Sequence, residues 1–370
     1  VYSLISLQTM SGFLGRGNQG ISRMNSGFGN RPIVELMRSR ALGQRWRDAV
    51  ERLLLHRDQV LSEPFGYDPR GLVLLWLEPW DGQSPLALSQ LDPFYIEVCR
   101  RVRLVWKNGR IIKAHLYSAD KPRIAAKELN GVVGDPWLPV DLKGVQKGDA
   151  KALTFPPVGI TADHMRRLIF HDEVKLSALQ RPLTHWRGSL LFSVSVLVRG
   201  QGVTDGFHHW EVRIPQEKVP SLFGGASRRK SLDDLSKTAI EYAGIMQNRV
   251  LKPAVFAHIL GAPDRLRLDD DFSTAAWTGV VRDFELRWSA DYFPWLWSVP
   301  EPFDEDQELD RWTSFLHRHA LAVLERAEAA LPGYSGRRYL VKTTVRNVFW
   351  GAFYKNFDTR GSYSEHSSRS

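Results

Sequence analysis

The chain has 370 residues, 43% of them hydrophobic, which is enough for sizeable cores and for two or three domains of ordinary size. Fifty Lys/Arg against 41 Asp/Glu leave a formal charge of +9, which favours an anionic partner through long-range attraction and counterion release. A single cysteine, Cys99, excludes an internal disulfide and a multi-cysteine zinc site, and no run of about 18 apolar residues is present to span a membrane.

The N-terminal thirty residues alternate glycine, asparagine and arginine with almost no acid. Ser11-Gly12-Phe13-Leu14-Gly15-Arg16-Gly17-Asn18-Gln19-Gly20 leads into Arg23-Met24-Asn25-Ser26-Gly27-Phe28-Gly29-Asn30-Arg31-Pro32. Glycine lets a backbone approach a ligand closely, and arginine adds forked donors suited to phosphates and base edges. The segment is not a Walker A loop, because no Gly-Lys-Ser/Thr follows. Gly15 to Gly20 matches G-x-G-x-x-G, but a lone match also fits an ordinary surface loop rich in turns. The chain opens on Val1 with no signal-peptide layout, so its natural N-terminus is expected to lie upstream.

Ile33, Leu36 and Met37, then Trp46, Val50, Leu53 and Leu54, fall at helical spacing and predict two short helices or one kinked at Gly43. Arg38, Arg40, Arg45, Arg47 and Arg52 lie between them. They form either a solubilising face or an extension of a phosphate-tracking surface. From Gly71 to about residue 215 the pattern is strand-like. Phe94–Trp106 and Arg110–Tyr117 flank Lys107-Asn108-Gly109, a type I′ hairpin signal. Gly134-Asp135-Pro136-Trp137-Leu138-Pro139 reads as a turn. Ser189–Val198 and His208–Ile214 read as a second hairpin, with Arg199-Gly200-Gln201-Gly202-Val203-Thr204-Asp205-Gly206 at its tip.

From Ser236 the period turns helical. One helix is predicted from Thr238 to Leu260, bent near Pro253 and closed by Gly261. Others carry Trp277 to Trp288, Leu309 to Val323, and Leu340 to Phe353. Four helices with short connections predict an up-and-down bundle whose core takes Trp277, Trp288, Trp295, Trp297 and Trp312. The acids of Glu301–Glu308 read as a solvated loop before a helix N-terminus. The expected class is therefore α+β: a mixed α/β region over 1–235, a four-helix bundle over 236–357, and a flexible serine-rich tail over 358–370.

Chemistry-bearing clusters are sparse. His208 and His209 point to opposite faces of a strand and cannot share a metal in simple geometry. His317 and His319 are about 200° apart on a helix. Asp269-Asp270-Asp271 precedes a helix, where acids cap. Cys99 sits on an alternating strand and reads as a buried thiol. No nucleophile elbow or kinase signature occurs. No metal or cofactor is therefore expected, and no catalytic residue is assigned. Two features point toward nucleic acid: the basic strand Arg100-Arg101-Val102-Arg103-Leu104 with Lys107, Arg110 and Lys113, and the thin polar tip at Gln201. Each also fits a bland reading, as an exposed strand face and a loose hairpin loop.

Taken in order, these segments resemble the CasA family, the large subunits of the type I-E CRISPR surveillance complex Cascade. The residues that carry the likeness are Gln8-Thr9 with Gly12-Phe13 through Gly20, Arg23-Met24-Asn25 with Gly27-Phe28-Gly29 and Arg31-Pro32, and Leu91-Asp92-Pro93-Phe94 with Glu97-Val98-Cys99-Arg100-Arg101. Gly134-Asp135-Pro136-Trp137, the Val196–Pro215 hairpin and the terminal helices complete them. The resemblance implies a cytoplasmic, non-catalytic antiviral-defence subunit that recognises the protospacer-adjacent motif (PAM) in double-stranded target DNA. It would begin the unwinding that forms an R-loop, beside other Cascade subunits and a CRISPR guide RNA, and recruit a separate helicase-nuclease. On this likeness the glycine loop maps to Gly15, Arg16, Gly17 and Asn18, and the wedge to Gly200, Gln201 and Gly202, with Gln201 one residue displaced from the family's usual glutamine. Lys121 and Lys127 are lysine-finger candidates; Arg23, Arg31, Arg100 and Arg101 are candidates for backbone contact. The alternatives are a metal-dependent nuclease or nucleotidyl transferase using Asp269–Asp271 with His208 and His209, and an RNA-binding scaffold.

Overall fold

Ile33, Leu36 and Met37 lie on a strand, β1 (Ile33–Met37), not on the helix that their spacing predicts. Both faces of this strand are covered, since Val34, Glu35, Leu36 and Met37 are all buried, so apolar residues fill it without a period of two. The computed structural model that shows this describes residues 31–62, 65–81, 83–96, 101–117, 123–124, 129–136, 138–143, 150–199, 204–262, 271–331 and 335–357. Two units, Val1–Arg228 and Arg229–Ser370, each have their own core.

In the first unit, helix α1 (Leu42–Ser62) follows β1. Its expected apolar stripe is turned outward: Trp46 and Leu54 are exposed, while Asp48, Arg52, His56 and Val60 are buried. These buried polar groups are largely hydrogen-bonded, with Nη2 of Arg52 the exception. Arg52 Nη1 donates to the carbonyl oxygens of Leu36 (2.7 Å) and Leu179 (2.9 Å), and its Nε donates to Asp48 O (3.1 Å). The guanidinium lies over the Trp186 ring at 4.7 Å. Burial pulls its pKa down to about 10, against the attraction of Glu35 and Asp48. Burial also opposes the Asp48 carboxylate, but hydrogen bonds from Arg38 and Gln44 outweigh it and keep its pKa below the ordinary value.

Strands β2 (Leu72–Leu74) and β3 (Leu91–Ile96) pair in parallel, beside a core of Val60, Tyr67, Leu75, Leu91, Tyr95, Ile124 and Val133. The hairpin of β4 (Arg101–Lys107) and β5 (Arg110–Tyr117) turns as expected through Asn108 (φ 50°) and Gly109 (φ 72°), the left-handed pair that a type I′ turn requires. β6 (Val140–Asp141) lies between β7 (Lys151–Ala152) and β8 (Val174–Lys175). Between β7 and β8 runs α2 (Ala162–Phe170), capped by Thr161, whose hydroxyl accepts from His164 N. The second expected hairpin is β9 (Leu190–Arg199) and β10 (Thr204–Ile214). β9 is the middle strand of the β1-β9-β10 sheet, and α3 (Val219–Phe223) follows the hairpin.

In the second unit, α4 (Ala226–Ile245) starts about a dozen residues before the predicted helix. It continues through a π-helical turn, Met246–Leu251, into α5 (Lys252–Ile259). Pro253 sits in the first turn of α5, so the wide turn accommodates the missing donor and the ring. Gly261 (φ 69°) ends the helix as expected. Then come α6 (Asp271–Ser298), α7 (Glu305–Ala330) and α8 (Arg338–Asn356). Asp304 caps α7 by accepting from Gln307 N at 3.0 Å, so the acidic run is a helix start. The fold class is α+β.

Of the five tryptophans expected in the core of this unit, four are buried and Trp297 is half-buried. Trp312 is fully buried, stacks on Trp295 (4.7 Å) and donates from Nε1 to Ala239 O (2.9 Å). Trp277, Trp288 and Trp295 are buried too. Among the described residues no helix is long and apolar enough to cross a membrane. His317 packs on Trp350 (4.8 Å) and Phe353 (4.7 Å), and burial drives its pKa down to about 4.

Both buried groups are open to measurement. Arg52→Met should destabilise the protein by about 3–5 kcal/mol, since it leaves the buried carbonyl oxygens of Leu36 and Leu179 without their donor. Urea unfolding of the full chain measures this, and a loss under about 1 kcal/mol would refute the role. For His317, the unfolded imidazole takes up its proton near pH 6.5 but the folded one only near pH 4. The unfolded state therefore binds the proton first, and stability falls as pH drops from 6.5 towards 4. With screening of the partly exposed ring the loss is about 1–2 kcal/mol, and His317→Leu should remove that part of the pH dependence of Tm.

Candidate nucleic-acid interface

Strands β9 and β10 flank the segment that contains Gln201 in the sequence. Phe192, Val194, Val196 and Val198 alternate inward along β9 and are fully buried, as are Val212 and Ile214 at the base of β10. The register runs from Leu190↔Ile214 to Arg199↔Thr204, with an irregularity between Thr204 and Gly206, whose φ is 124°. Towards the tip the inward side chains become only half-buried, at Trp210 and His208, and Phe207 opposite them is exposed. The inward face of β9 is thus fixed in the core as far as Val198, while β10 is more open beyond Val212.

Three contacts hold β10 in place, and no sequence motif announces them. Glu211 accepts from Arg40 Nε at 3.1 Å, which ties the strand to the β1–α1 turn. Ser195 Oγ and His209 Nδ1 are 2.9 Å apart across the two strands. His208 lies against Gly159, where φ is 82° and an added Cβ would fall 2.3 Å from Nδ1. His208 and His209 face opposite sides, as expected. Among the described residues no three His, Cys, Asp or Glu side chains converge as metal ligands would.

Of the assigned site residues, Gly15, Arg16, Gly17, Asn18, Arg23, Arg100, Lys121, Lys127, Gly200, Gln201 and Gly202 lie outside the described residues, as do Cys99, Asp269, Asp270 and the 358–370 tail. Arg101 begins β4. Arg31 corrects the expectation of a backbone contact. It is 1% exposed, packed beneath Gly131, and burial drives its pKa down to about 10 against the pull of Asp135. A guanidinium so enclosed cannot reach a phosphate.

The arginine face is corrected as well. Arg38 pairs with Asp48, Arg40 with Glu211, and Arg45 with Glu35, while Arg52 is buried. Arg47 donates to the side-chain oxygen Oε1 of Gln44 at 3.3 Å. This stretch therefore knits α1 to the sheet instead of tracking phosphates. Sequence reasoning also missed the contact between α6 and α7 at Asp291 Oδ2 and His319 Nε2 (2.7 Å), residues 28 positions apart.

No family model matches the chain, and no curated protein matches it. Two solved structures have the same arrangement of elements. A CRISPR-associated protein from Thermus thermophilus superposes with a TM-score of 0.52 at 14% identity, over 88% of this chain and 66% of that one. Thermus thermophilus CasA (Cse1) superposes with a TM-score of 0.55 at 14% identity, over 87% of this chain and 63% of that one. The fold is that of CasA. The chain spans a little under two thirds of the length of these structures.

Within this CasA fold, the seat of the hairpin is testable. Gly159→Ala should cost about 1–3 kcal/mol, from its positive φ and from the clash with His208. An added Cβ at Gly188 (φ 90°) would meet nothing within 4 Å, so Gly188→Ala supplies the cost of backbone strain alone. The Gly159 variant should melt lower than the Gly188 variant, and His208→Ala should restore part of the difference. Equal Tm values would show that His208 is not seated there.

Proposed function

We propose that the chain is the large subunit of a type I-E CRISPR RNA-guided surveillance complex. On this reading it recognises the PAM in double-stranded target DNA and opens the adjoining duplex without breaking covalent bonds. The observation that carries the reading is the β9–β10 hairpin, whose core-fixed arms lead at Arg199↔Thr204 to the segment containing Gly200-Gln201-Gly202. The CasA fold over most of the chain supports it, as do the family-like segments in family order.

Gly15, Arg16, Gly17 and Asn18 contact the minor groove, where the donor and acceptor pattern is degenerate and a few donors on a thin loop read a short motif. Gln201 enters beside the first base step as a wedge. Unstacking one step costs about 1.4 kcal/mol, and pairing with the guide RNA returns a similar amount as the heteroduplex grows. The protein therefore has only to lower the barrier to nucleation, for which a side chain on a stiff support suffices. Lys121 or Lys127 supplies a lysine finger, and Arg23, Arg100 and Arg101 contact the backbone. The C-terminal helices pack against other subunits, and a separate helicase-nuclease is recruited to degrade the target in the cytoplasm.

Gln201→Ala combined with Gly15→Asp should weaken binding of the assembled complex to a PAM-containing duplex by about tenfold or more, or about 1.4 kcal/mol, while assembly with guide RNA survives. Electrophoretic shifts against PAM-containing and scrambled duplexes measure this. Unchanged affinity rejects the site assignment. Equal affinity of the unsubstituted complex for both duplexes would favour an RNA-binding scaffold.

A further inference from the structure

The β4–β5 hairpin has two exposed faces. No other described element packs broadly on either strand, and from Arg103 to Ala114 every side chain except that of Val105 is exposed. Pairing runs from Arg101↔Tyr117 to Val105↔Lys113, skips Ile112 as a bulge, and resumes at Trp106↔Ile111 and Lys107↔Arg110. With a period of two, this register gathers Arg103, Lys107, Arg110 and Lys113 on one face, with Val105 and His115. The bulge matters, because without it Arg110 would fall on the face opposite Lys113. The other face carries Leu104, Trp106 and Ile111.

Residues 101–117 contain no Asp or Glu. Among the described residues no carboxylate pairs with Arg103, Lys107, Arg110 or Lys113. This sets the ribbon apart from α1, where Arg38, Arg40 and Arg45 each meet an acid. Four cations on one face of the ribbon, with no carboxylate partner among the described residues, form a surface that a polyanion complements. A two-stranded ribbon is also narrow enough for the ~12 Å major groove. Arg103 to Lys107 extends for about 13 Å, which matches roughly four base pairs of rise at ~3.4 Å each along the duplex axis.

We propose that the β4–β5 ribbon is a separate nucleic-acid contact whose cationic face grips the phosphate backbone of duplex DNA without reading its sequence. It stands apart from the reading of Gly15–Asn18 and Gln201, because it rests on charge and register alone. The contact raises the local concentration of duplex and lets the chain slide along it before any motif is met.

The test uses the full chain with Arg103, Lys107, Arg110 and Lys113 all changed to Gln. The control changes four exposed cations of the second unit, Lys237, Arg338, Lys342 and Lys355, to Gln. Fluorescence anisotropy follows binding to an arbitrary-sequence duplex of about 25 base pairs between about 50 and 200 mM salt. The ribbon variant should bind about tenfold or more weakly at about 100 mM, and the slope of log K against log salt should shrink by about two to four. The control should stay within about twofold of the unsubstituted chain, and melting curves of all three should coincide. A ribbon variant equal to the control in affinity and slope overturns the proposal. So does a loss confined to single-stranded RNA or to a protein partner, with duplex binding intact. Gln201→Ala should leave the salt slope on arbitrary duplex unchanged, so failure here and failure of the wedge are distinguishable.

Discussion

The buried guanidinium of Arg52 is the constraint from which the first unit is built. A charge removed from water has to be paired and fully hydrogen-bonded, or its burial cost is not offset. Arg52 approaches that requirement only where α1, β1 and the turn at Leu179 come together, because its Nε and Nη1 donate to carbonyl oxygens from all three, while its buried Nη2 faces Glu35 at 4.0 Å without a hydrogen bond. One side chain therefore fixes the position of the helix on the strand. β1 then fixes β9 through five residue pairs, and β9 fixes β10 through its long antiparallel register. The two strands of the hairpin inherit their position from a cation far earlier in the chain.

This arrangement also explains which parts of the fold were legible in the sequence. Both hairpins were, because Asn108-Gly109 is a local turn signal and the β9 alternation needs only one buried face. The helical unit was legible because Trp277, Phe284, Trp288, Leu309, Trp312 and Leu316 repeat at helical spacing and pack on one another. β1 and α1 were misread for one shared reason. β1 is covered on both faces, which erases its period. α1 presents Asp48, Arg52 and His56 to the sheet, which reverses the usual sense of amphipathicity. A binary pattern assumes that apolar residues face inward, and it fails where a buried polar network replaces them. For the same reason Arg31 looked like a surface cation, although the turn at Gly131 encloses it. The contacts that seat β10, from Arg40, Gly159 and Ser195, join residues distant in sequence and leave no local signature.

Net charge was equally ambiguous before the structure placed it. The chain's +9 suggests a polyanionic partner, but the arginines densest in sequence, around α1, are consumed by Glu35, Asp48 and Glu211. Their field is largely cancelled within a few ångströms. The ribbon cations have no such counter-charges among the described residues. Register decides this as much as composition, since the Ile112 bulge brings Arg110 and Lys113 to the same side. The useful electrostatic quantity is therefore the charge left over after internal pairing, face by face, and on that measure the β4–β5 ribbon differs from the arginines around α1.

A side chain that parts base pairs works only if its support yields less than the stacked bases do. The energy at stake, about 1.4 kcal/mol per step, is comparable with what a loose hairpin would lose by bending away. In the β9–β10 hairpin the bending is resisted at the base. Phe192, Val194, Val196, Val212 and Ile214 are buried there, β1 pairs along the outer edge of β9, and Arg40 holds Glu211. Val198, the residue before Arg199, is itself fully buried, so on β9 the support runs to the last described pair. On the function proposed here, that rigid support is what lets one glutamine act on DNA without catalytic groups, and the core of the sheet is part of the recognition device.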